Sequence, residues 1–479
     1  MAEDEDPEGG ATATPMRRRE RFVKLAGMTA SVAAGYAKSR LKNAFQDAEA
    51  AALDRARSYQ ASGERIAQTL GELKGAAMKI GQMASIASDV LPKELADSLR
   101  SLQREAPPMA YEVIADQIKN ELGAYPEDLF RRFDKKPFAA ASIGQVHRAE
   151  TEDGRDVVVK VQYPGVDACV DSDLAHLKLA LRASGLLRLS RSNLNALFGE
   201  IRARLFEELD YTKEAENVRE FRRVHADQPF VHLPEVIGER SSQRVLTLTY
   251  VPGDSIHDLD ARGYTQEARD RIGENLYRIT LRQLFEGLAI HADPNPANFA
   301  FRPDGAVVVY DFGCVKRLEP TIVRAYASAI WCGIEEDYRG ADEALKVLGA
   351  VRRDGPPVEA EYYKLWRDTL LIPFTQEGAF DYGTSRVHES VMQLVPGLLK
   401  RLDSFQPPVE VVFIDRVVGG HYGTLRRVRS RGRFLELVLP HVDPAGTTQR
   451  RIAELASSAS SEAGSRAPGE LPQSPKRMP

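Results

Sequence analysis

The chain has 479 residues, of which 43% are hydrophobic and 28% charged, a composition typical of a soluble globular protein with more than one domain. The net charge of -4 gives no basic excess, so nucleic acid is not an expected partner. The three cysteines are scattered without a CxxC pair, which argues against a disulfide framework or zinc site and predicts a reducing compartment.

The first 45 residues bear on the cellular compartment in which the protein is expected. Residues 1–15 are acidic and rich in Gly, Thr and Pro, which predicts a disordered tail that is neither a signal nor a transit peptide. The mildly apolar run at residues 25–37 is shorter than the roughly 20 residues that span a bilayer. We therefore expect a cytoplasmic protein. Residues 16–45 mix Arg and Lys with apolar residues, which fits either a peripheral helix at the inner face of the membrane or a helix packing on the core.

A helical extension is predicted next. Good helix formers with apolar residues at three- and four-residue spacing continue over residues 17–102, and we assign residues 16–105 to this extension. Within it, residues 79–82 read KIGQ among small residues. By composition alone, this stretch predicts a helix surface suited to close packing.

Residues 106–251 have a mixed strand and helix pattern. Strands are predicted at residues 146–149, 157–161 and 244–250, with a turn between the first two. Lys160 ends a β-branched strand, so it either lies in solvent at a strand edge or reaches the α- and β-phosphates of a nucleotide. Glu208 and Glu214 are candidate partners on a following helix. They are six residues apart, and periodicity does not choose between them.

A small-residue loop leads into the first of these strands. Its residues are Ala139, Ala140, Ala141, Ser142, Ile143, Gly144, Gln145 and Val146. Nucleotide-covering loops of kinases normally read GxGxxG at this place. Because alanine tolerates positive φ poorly and its Cβ keeps a phosphate away from the backbone, we expect this loop to bind nucleotide in a different way.

Residues 252–454 are predicted to be mainly helical and carry the strongest motif. Residues 291–298 have the form HxDxxxxN, and a short strand and the triplet Asp311-Phe312-Gly313 follow. In kinases the first aspartate lies at the attacking oxygen, while the asparagine and the DFG aspartate hold Mg²⁺. DFG alone recurs by chance, but this spacing is specific. We therefore expect Asp293 to be catalytic and Asn298 and Asp311 to be metal ligands.

The segment after DFG differs from that of ordinary kinases. No APE-like end follows, and helical pattern resumes within about seven residues. The platform that presents a protein substrate is therefore expected to be missing. Residues 455–479 are rich in Ser, Pro and Gly, which predicts a disordered tail.

Together these motifs resemble the UbiB/AarF-type atypical kinases of ubiquinone biosynthesis, over residues 70–434. The matching elements are KxGQ at Lys79, Gly81 and Gln82; the Ala-rich loop AAASIGQVH; Lys160 in VKVQ-P-GV; ELD-x-x-x-EA-x-N from Glu208 to Asn217; and the loop His291 to Asn298 before DFG. Two positions depart from the family pattern, because Ala297 replaces a glycine and Asn295 stands where many members have histidine.

The resemblance implies an α+β, protein-kinase-like two-lobed fold that binds ATP and Mg²⁺. It implies that Glu208 pairs with Lys160, with Glu214 as second choice, and that Lys79 and Gln82 point into the nucleotide site and restrict access to it. It also implies an atypical kinase or ATPase that acts on a quinone precursor or lipid in ubiquinone synthesis.

Two other functions remain open at this point. A Ser/Thr protein kinase would need a folded activation segment and a peptide groove, which the chain does not predict. A non-catalytic module that uses nucleotide as a switch would fit the alanine loop, although all the usual catalytic and metal-binding residue types are present.

Overall fold

The computed structural model describes residues 18–43, 48–73, 108–140, 143–183, 191–406 and 409–443. The chain forms two compact units, the first comprising Met1–Arg222, Leu233–Val251 and Asp311–Cys314, and the second Arg223–His232, Pro252–Tyr310 and Val315–Pro479. One change of unit falls between Val251 and Pro252, while both predicted tails, 1–15 and 455–479, lie outside the described residues. The domain limits inferred from the sequence remain a prediction.

The first unit combines helices with a single antiparallel sheet. Its described helices are α1 (Arg18–Asn43), α2 (Ala48–Leu73), α3 (Tyr111–Leu122), α4 (Pro126–Leu129), α5 (Val166–Ala183), α6 (Arg191–Glu208) and α7 (Tyr211–Val224). Its strands are β1 (Arg132–Phe133), β2 (Ala139–Ala140), β3 (Gly144–Glu150), β4 (Asp156–Gln162) and β6 (Val245–Thr249). Helices α5, α6 and α7 therefore lie between strands β4 and β6 in the part of the chain that the structure describes.

The sheet has the order β1-β3-β4-β6, and β2 pairs with β3. Strand β4 forms because its β-branched residues alternate between two faces: Val157, Val159 and Val161 are fully buried on one face. Lys160 therefore projects from the opposite face, and its backbone lies between Val146 of β3 and Leu246 of β6. The β3–β4 turn is the predicted one, and Gly154 in it has the positive φ of +83° that favours glycine.

The N-terminal helices pack into the core of the same unit. Leu25, Met28 and Val32 of α1, spaced by three and four residues, are buried in one cluster with residues of α2 and α5. Arg21 forms an ion pair with the buried Asp173 of α5. This packing agrees with the core-packing interpretation of residues 16–45. The predicted membrane contact of this segment stays a prediction.

The second unit is mainly helical with small sheets. Its helices are α8 (Gln266–Phe285), α9 (Pro320–Ile334), α10 (Tyr338–Val347), α11 (Ala360–Leu370), α12 (Ile372–Thr375), α13 (Val387–Leu399), α14 (Val409–Val428) and α15 (Phe434–Val442). Its strands are β5 (Val231–His232), β7 (Ala289–His291), β8 (Phe299–Phe301), β9 (Val307–Val309), β10 (Val315–Arg317), β11 (Phe380–Asp381) and β12 (Arg431–Gly432). Strands β5, β9 and β8 form one sheet, while β10 pairs with β7 and β11 with β12.

Two short strands, β7 and β8, flank the HxDxxxxN motif of this unit. Strand β7 ends at His291, the first residue of the HxDxxxxN motif, and β8 begins at Phe299, directly after it. Helix α9 begins at Pro320, seven residues after Gly313, as predicted, with strand β10 between them. Across the described ranges, none of the helices has both the length and the hydropathy that crossing a bilayer requires.

Candidate functional site

The first part of the candidate site is a buried ion pair in the first unit. The Nζ atom of Lys160 donates to both carboxylate oxygens of Glu214, at 3.0 and 2.8 Å, and lies 3.7 Å from an oxygen of Asp311. The side chains of Lys160 and Glu214 are only 16% and 5% exposed, whereas that of Asp311 is 44% exposed. The buried carboxylate of Glu214 therefore fixes the position of the Lys160 ammonium group. The second carboxylate near it, that of Asp311, is accessible to solvent and ligands.

The predicted pairing of Lys160 with Glu208 is wrong in this structure, and Glu214, the second choice, is the partner. Helix α6 ends at Glu208, and α7 restarts at Tyr211. The break occurs because the Asp210 carboxylate accepts hydrogen bonds from the backbone N–H and hydroxyl of Thr212, a local bond that competes with helix continuation. Glu214 consequently lies in the first turn of a new helix.

The charge state of Lys160 follows from these neighbours. Burial alone would lower the pKa of its ammonium group, but the carboxylates of Asp311 and Glu214 outweigh burial and raise the pKa well above its ordinary value. Lys160 is therefore a permanent cation at neutral pH, as a phosphate-binding lysine must be.

Tyr211 was not among the predicted site residues, yet it lies beneath the ion pair. Its fully buried ring lies 5.0 Å from Nζ of Lys160, within the range of a cation–π contact, and burial raises the pKa of its phenol. A Cβ at Gly144 would lie 3.1 Å from its hydroxyl and only 2.3 Å from the carbonyl oxygen of Val161. The one glycine of the alanine-rich loop is therefore required by close packing.

The rest of the alanine-rich loop is partly described. Ala139 and Ala140 form β2 and pair with Val146 and Gln145, while Ala141 and Ser142 lie outside the described residues.

Gln145, predicted to contact nucleotide, is fully buried, and its side-chain amide bonds the backbone N–H of Met109 and the ring of His147. That amide supports the sheet, and the predicted contact of Gln145 with nucleotide stays a prediction. Ile143 is buried. Lys79 and Gln82 also lie outside the described residues.

The DFG triplet is anchored to the same unit through α7. The Asn217 amide donates to the carbonyl oxygen of Phe312 at 2.9 Å, and the ring of the fully buried Phe312 packs 5.2 Å from that of Phe221. The Asp311 carboxylate accepts from the backbone N–H of Gly313 at 2.8 Å. Helix α7 therefore supplies both the partner of Lys160 and the anchor of the DFG backbone.

The second part of the candidate site is the catalytic loop of the second unit. The Asn298 amide donates to the carboxylate of Asp293 at 2.9 Å and to its backbone carbonyl at 3.2 Å. The Asn295 side chain caps the short 3₁₀ turn Pro296–Asn298 by accepting from Ala297. The backbone N–H of Tyr310 bonds the Asn298 carbonyl oxygen at 3.0 Å. The predicted pair, Asp293 and Asn298, is thus brought together.

Sequence reasoning missed a third residue at this loop. A nitrogen of Arg416, on helix α14, lies 3.7 Å from the second carboxylate oxygen of Asp293. No motif singles out Arg416, because it belongs to a helix far along the chain and contacts the loop only through the fold.

Each of the two parts contains an oxygen donor of the kind that Mg²⁺ prefers. Within the described ranges, no three or more His, Cys, Asp or Glu side chains converge on one point. Mg²⁺ does not require such a cluster, because it is commonly held by one or two protein oxygens together with phosphate oxygens and water. Asp311, whose carboxylate is partly exposed, and Asn298 offer the oxygen ligands that it prefers.

Comparisons with known proteins match this chain to kinase-like proteins. The family model described as the ABC1 atypical kinase-like domain matches residues 101–345. Similar relatives include the probable serine/threonine-protein kinase abkA of Dictyostelium discoideum (28% identical, 87% of this chain and 77% of the relative). They also include the mitochondrial atypical kinases coq-8 of Caenorhabditis elegans (32%, 76% and 48%) and COQ8B of Rattus norvegicus (31%, 78% and 70%).

The chain spans from about half to about three quarters of the length of these three relatives. A solved structure of Rv3197 from Mycobacterium tuberculosis in complex with erythromycin is 28% identical, with a TM-score of 0.60 over 78% of this chain and 93% of that one. The expected α+β, kinase-like fold is confirmed by these matches.

Proposed function

The chain belongs to the ABC1 atypical kinase-like family, which includes the COQ8 and UbiB proteins, and from that premise we propose that it binds Mg-ATP and transfers or hydrolyses its terminal phosphate in support of isoprenoid quinone synthesis. The observation that carries this proposal is the buried contact of Lys160 with Glu214, beside Asp311 at 3.7 Å. A lysine with one buried and one accessible carboxylate is the arrangement that a kinase uses to position phosphates and metal together.

Each residue then has a separate task. Lys160 binds the α- and β-phosphates, and Glu214 orients it. Asp311 and Asn298 hold Mg²⁺, which offsets the negative charge of the phosphates when it is bound. Asp293 orients the attacking hydroxyl or water and accepts its proton. The alanine-rich loop covers the nucleotide, and Lys79 and Gln82 restrict access to it.

A small or lipid-like acceptor is favoured over a peptide. Only Cys314 to Glu319 separate the DFG glycine from helix α9, and three of these six residues form β10. This leaves no room for the segment on which protein kinases seat a peptide. The solved complex of the similar Rv3197 protein with erythromycin supports the same view, because that protein binds a non-peptide ligand. A phenolic quinone precursor is the acceptor that we propose.

A protein kinase activity is the second candidate function. It is favoured by one observation, the similarity to a relative named a probable serine/threonine-protein kinase. It would require a peptide acceptor and is separated from the first candidate by the identity of the phosphorylated product.

The test is ATP turnover by the purified protein with Mg²⁺, with and without anionic liposomes and a phenolic quinone-precursor mimic. The control is Asp311→Asn, which removes one metal-ligand charge. We expect turnover that rises with lipid or phenol and is lost in the control. Phosphorylation of a generic protein substrate without such turnover would favour the protein kinase, and nucleotide binding without either activity would favour a switch module.

A further inference from the structure

Helix α14 presents one continuous face to the catalytic loop. Arg416 and Gly420 are one turn apart and therefore share that face. Arg416 lies 3.7 Å from the Asp293 carboxylate, and a Cβ at Gly420 would come within 2.3 Å of Cγ of Pro294. The ring of His421 contacts that of Phe299, with centroids 5.4 Å apart. Helix α14 therefore packs closely against the loop at Asp293 and Pro294 and against Phe299, which directly follows the loop.

The geometry at Asp293 leaves the arginine able to serve a second anion. At 3.7 Å the contact is an ion pair and too long for a hydrogen bond. The other Asp293 oxygen is already engaged by the Asn298 amide. Arg416 is 33% exposed and Asp293 is 40% exposed. A guanidinium carries five N–H donors in a planar fork that matches phosphate geometry, so one loose ion pair uses a small part of its capacity.

The catalytic loop itself provides no lysine or arginine. Its sequence from His291 to Asn298, HADPNPAN, contains no such residue. Phosphoryl transfer depends on positive charge placed at the transferred group, and Lys160 is already assigned to the α- and β-phosphates. Apart from the Mg²⁺ that Asp311 and Asn298 would hold, a side-chain cation for the terminal phosphate would therefore come from outside the loop.

We propose that Arg416 is this cation: it binds the terminal phosphate of ATP and pairs with Asp293 when no nucleotide is present. The proposal rests on the function proposed above. In the transfer step the bond between the terminal phosphorus and the bridging oxygen of ADP breaks. A bond from phosphorus to the attacking oxygen forms, and the proton of that oxygen passes to Asp293. Arg416 exchanges no atoms and offsets the charge on the transferred group.

A purely structural ion pair predicts a different result. Half-exposed pairs contribute little to stability, so a structural role would leave turnover nearly unchanged, or would lower the melting temperature and turnover together. A role at the terminal phosphate acts on ATP and not on ADP, because ADP lacks that group. The affinity ratio of ATP to ADP is therefore the decisive quantity.

The experiment compares Arg416→Gln, Arg416→Lys and Arg426→Gln with the wild-type protein. Arg426 is the matched control, since it lies on the same helix and forms an exposed ion pair with Glu389. The measurements are kcat and KM for Mg-ATP, the Kd of ATP and of ADP, and the melting temperature. We expect Arg416→Gln to lower kcat by roughly a hundredfold or more. It should also weaken ATP without weakening ADP, whereas Arg416→Lys recovers part of the loss and Arg426→Gln changes nothing.

Several outcomes would overturn the assignment. An Arg416→Gln protein with wild-type kcat, with increased kcat, or with equal losses for ATP and ADP would each exclude Arg416 as the cation for the terminal phosphate. If the wild-type protein binds ATP without turnover, the ATP to ADP affinity ratio still decides. A wild-type protein that binds no nucleotide would refute the proposed function and this proposal together, a result distinct from an active enzyme insensitive to Arg416.

Discussion

The Lys160–Glu214 pair gives a prediction whose magnitude follows from its burial. Glu214→Gln removes a carboxylate that is 5% exposed and accepts two hydrogen bonds from a lysine that is 16% exposed. Breaking a buried ion pair by removing one partner costs about 3 to 5 kcal/mol, because the remaining charge is uncompensated. Asp311 stays 3.7 Å from Nζ of Lys160 and offsets part of that charge, so we expect a loss of about 3 kcal/mol.

The assay is urea denaturation followed by circular dichroism, together with ATP affinity by fluorescence titration. Glu208→Gln is the matched control, because Glu208 is the residue that the family pattern favours and it lies outside the observed pair. We expect it to cost less than Glu214→Gln, because Glu208 is only half-buried and is not the carboxylate that pairs with Lys160. If Glu208→Gln costs more than Glu214→Gln, or Glu214→Gln costs under about 1 kcal/mol, the buried-pair reasoning is refuted.

Three further predictions concern packing and protonation. Asn217→Ala should cost about 1 kcal/mol in thermal unfolding, because it removes the hydrogen bond that the Asn217 amide donates to the carbonyl oxygen of Phe312; no change in melting temperature would contradict this. Gly144→Ala should cost about 1 to 3 kcal/mol in urea, since its Cβ would meet the Val161 carbonyl oxygen at 2.3 Å; wild-type stability would refute the contact. Burial lowers the pKa of His421 from 6.5 to about 4. As the pH falls, the imidazole is therefore protonated in the unfolded chain at a higher pH than in the folded protein. The neutral, buried imidazole therefore stabilises the folded state fully above pH 6.5, and up to about 3 kcal/mol of this stability is lost as the pH falls toward 4. Between pH 6.5 and pH 4, the melting temperature of His421→Asn should therefore fall less steeply than that of the wild-type protein.

The parts of the site that sequence predicts well are those set by local pattern. Lys160 lies on the predicted strand because a run of β-branched residues specifies it, and Asp293 lies close to Asn298 because both belong to one short loop. These features depend on neighbours within a few residues of one another.

The features that the sequence did not predict depend on where one helix ends and the next begins, or on tertiary packing. Periodicity could not choose between Glu208 and Glu214, because the side chain of Asp210 ends one helix and allows the next to start. The buried position of the Gln145 amide depends on Met109, which lies far from it along the chain. Arg416 reaches Asp293 through the seating of a distant helix, and no local pattern carries that information.

The central claim is that this chain binds ATP together with Mg²⁺, and calorimetric titration tests it most directly. ATP is titrated into the wild-type protein and into Asp311→Asn, each with Mg²⁺ and with a chelator. The account predicts that Mg²⁺ strengthens binding to the wild-type protein at least tenfold and that Asp311→Asn loses this gain while keeping the Mg²⁺-free affinity. A wild-type protein that binds no ATP, or an Asp311→Asn protein with an undiminished Mg²⁺ effect, would contradict it.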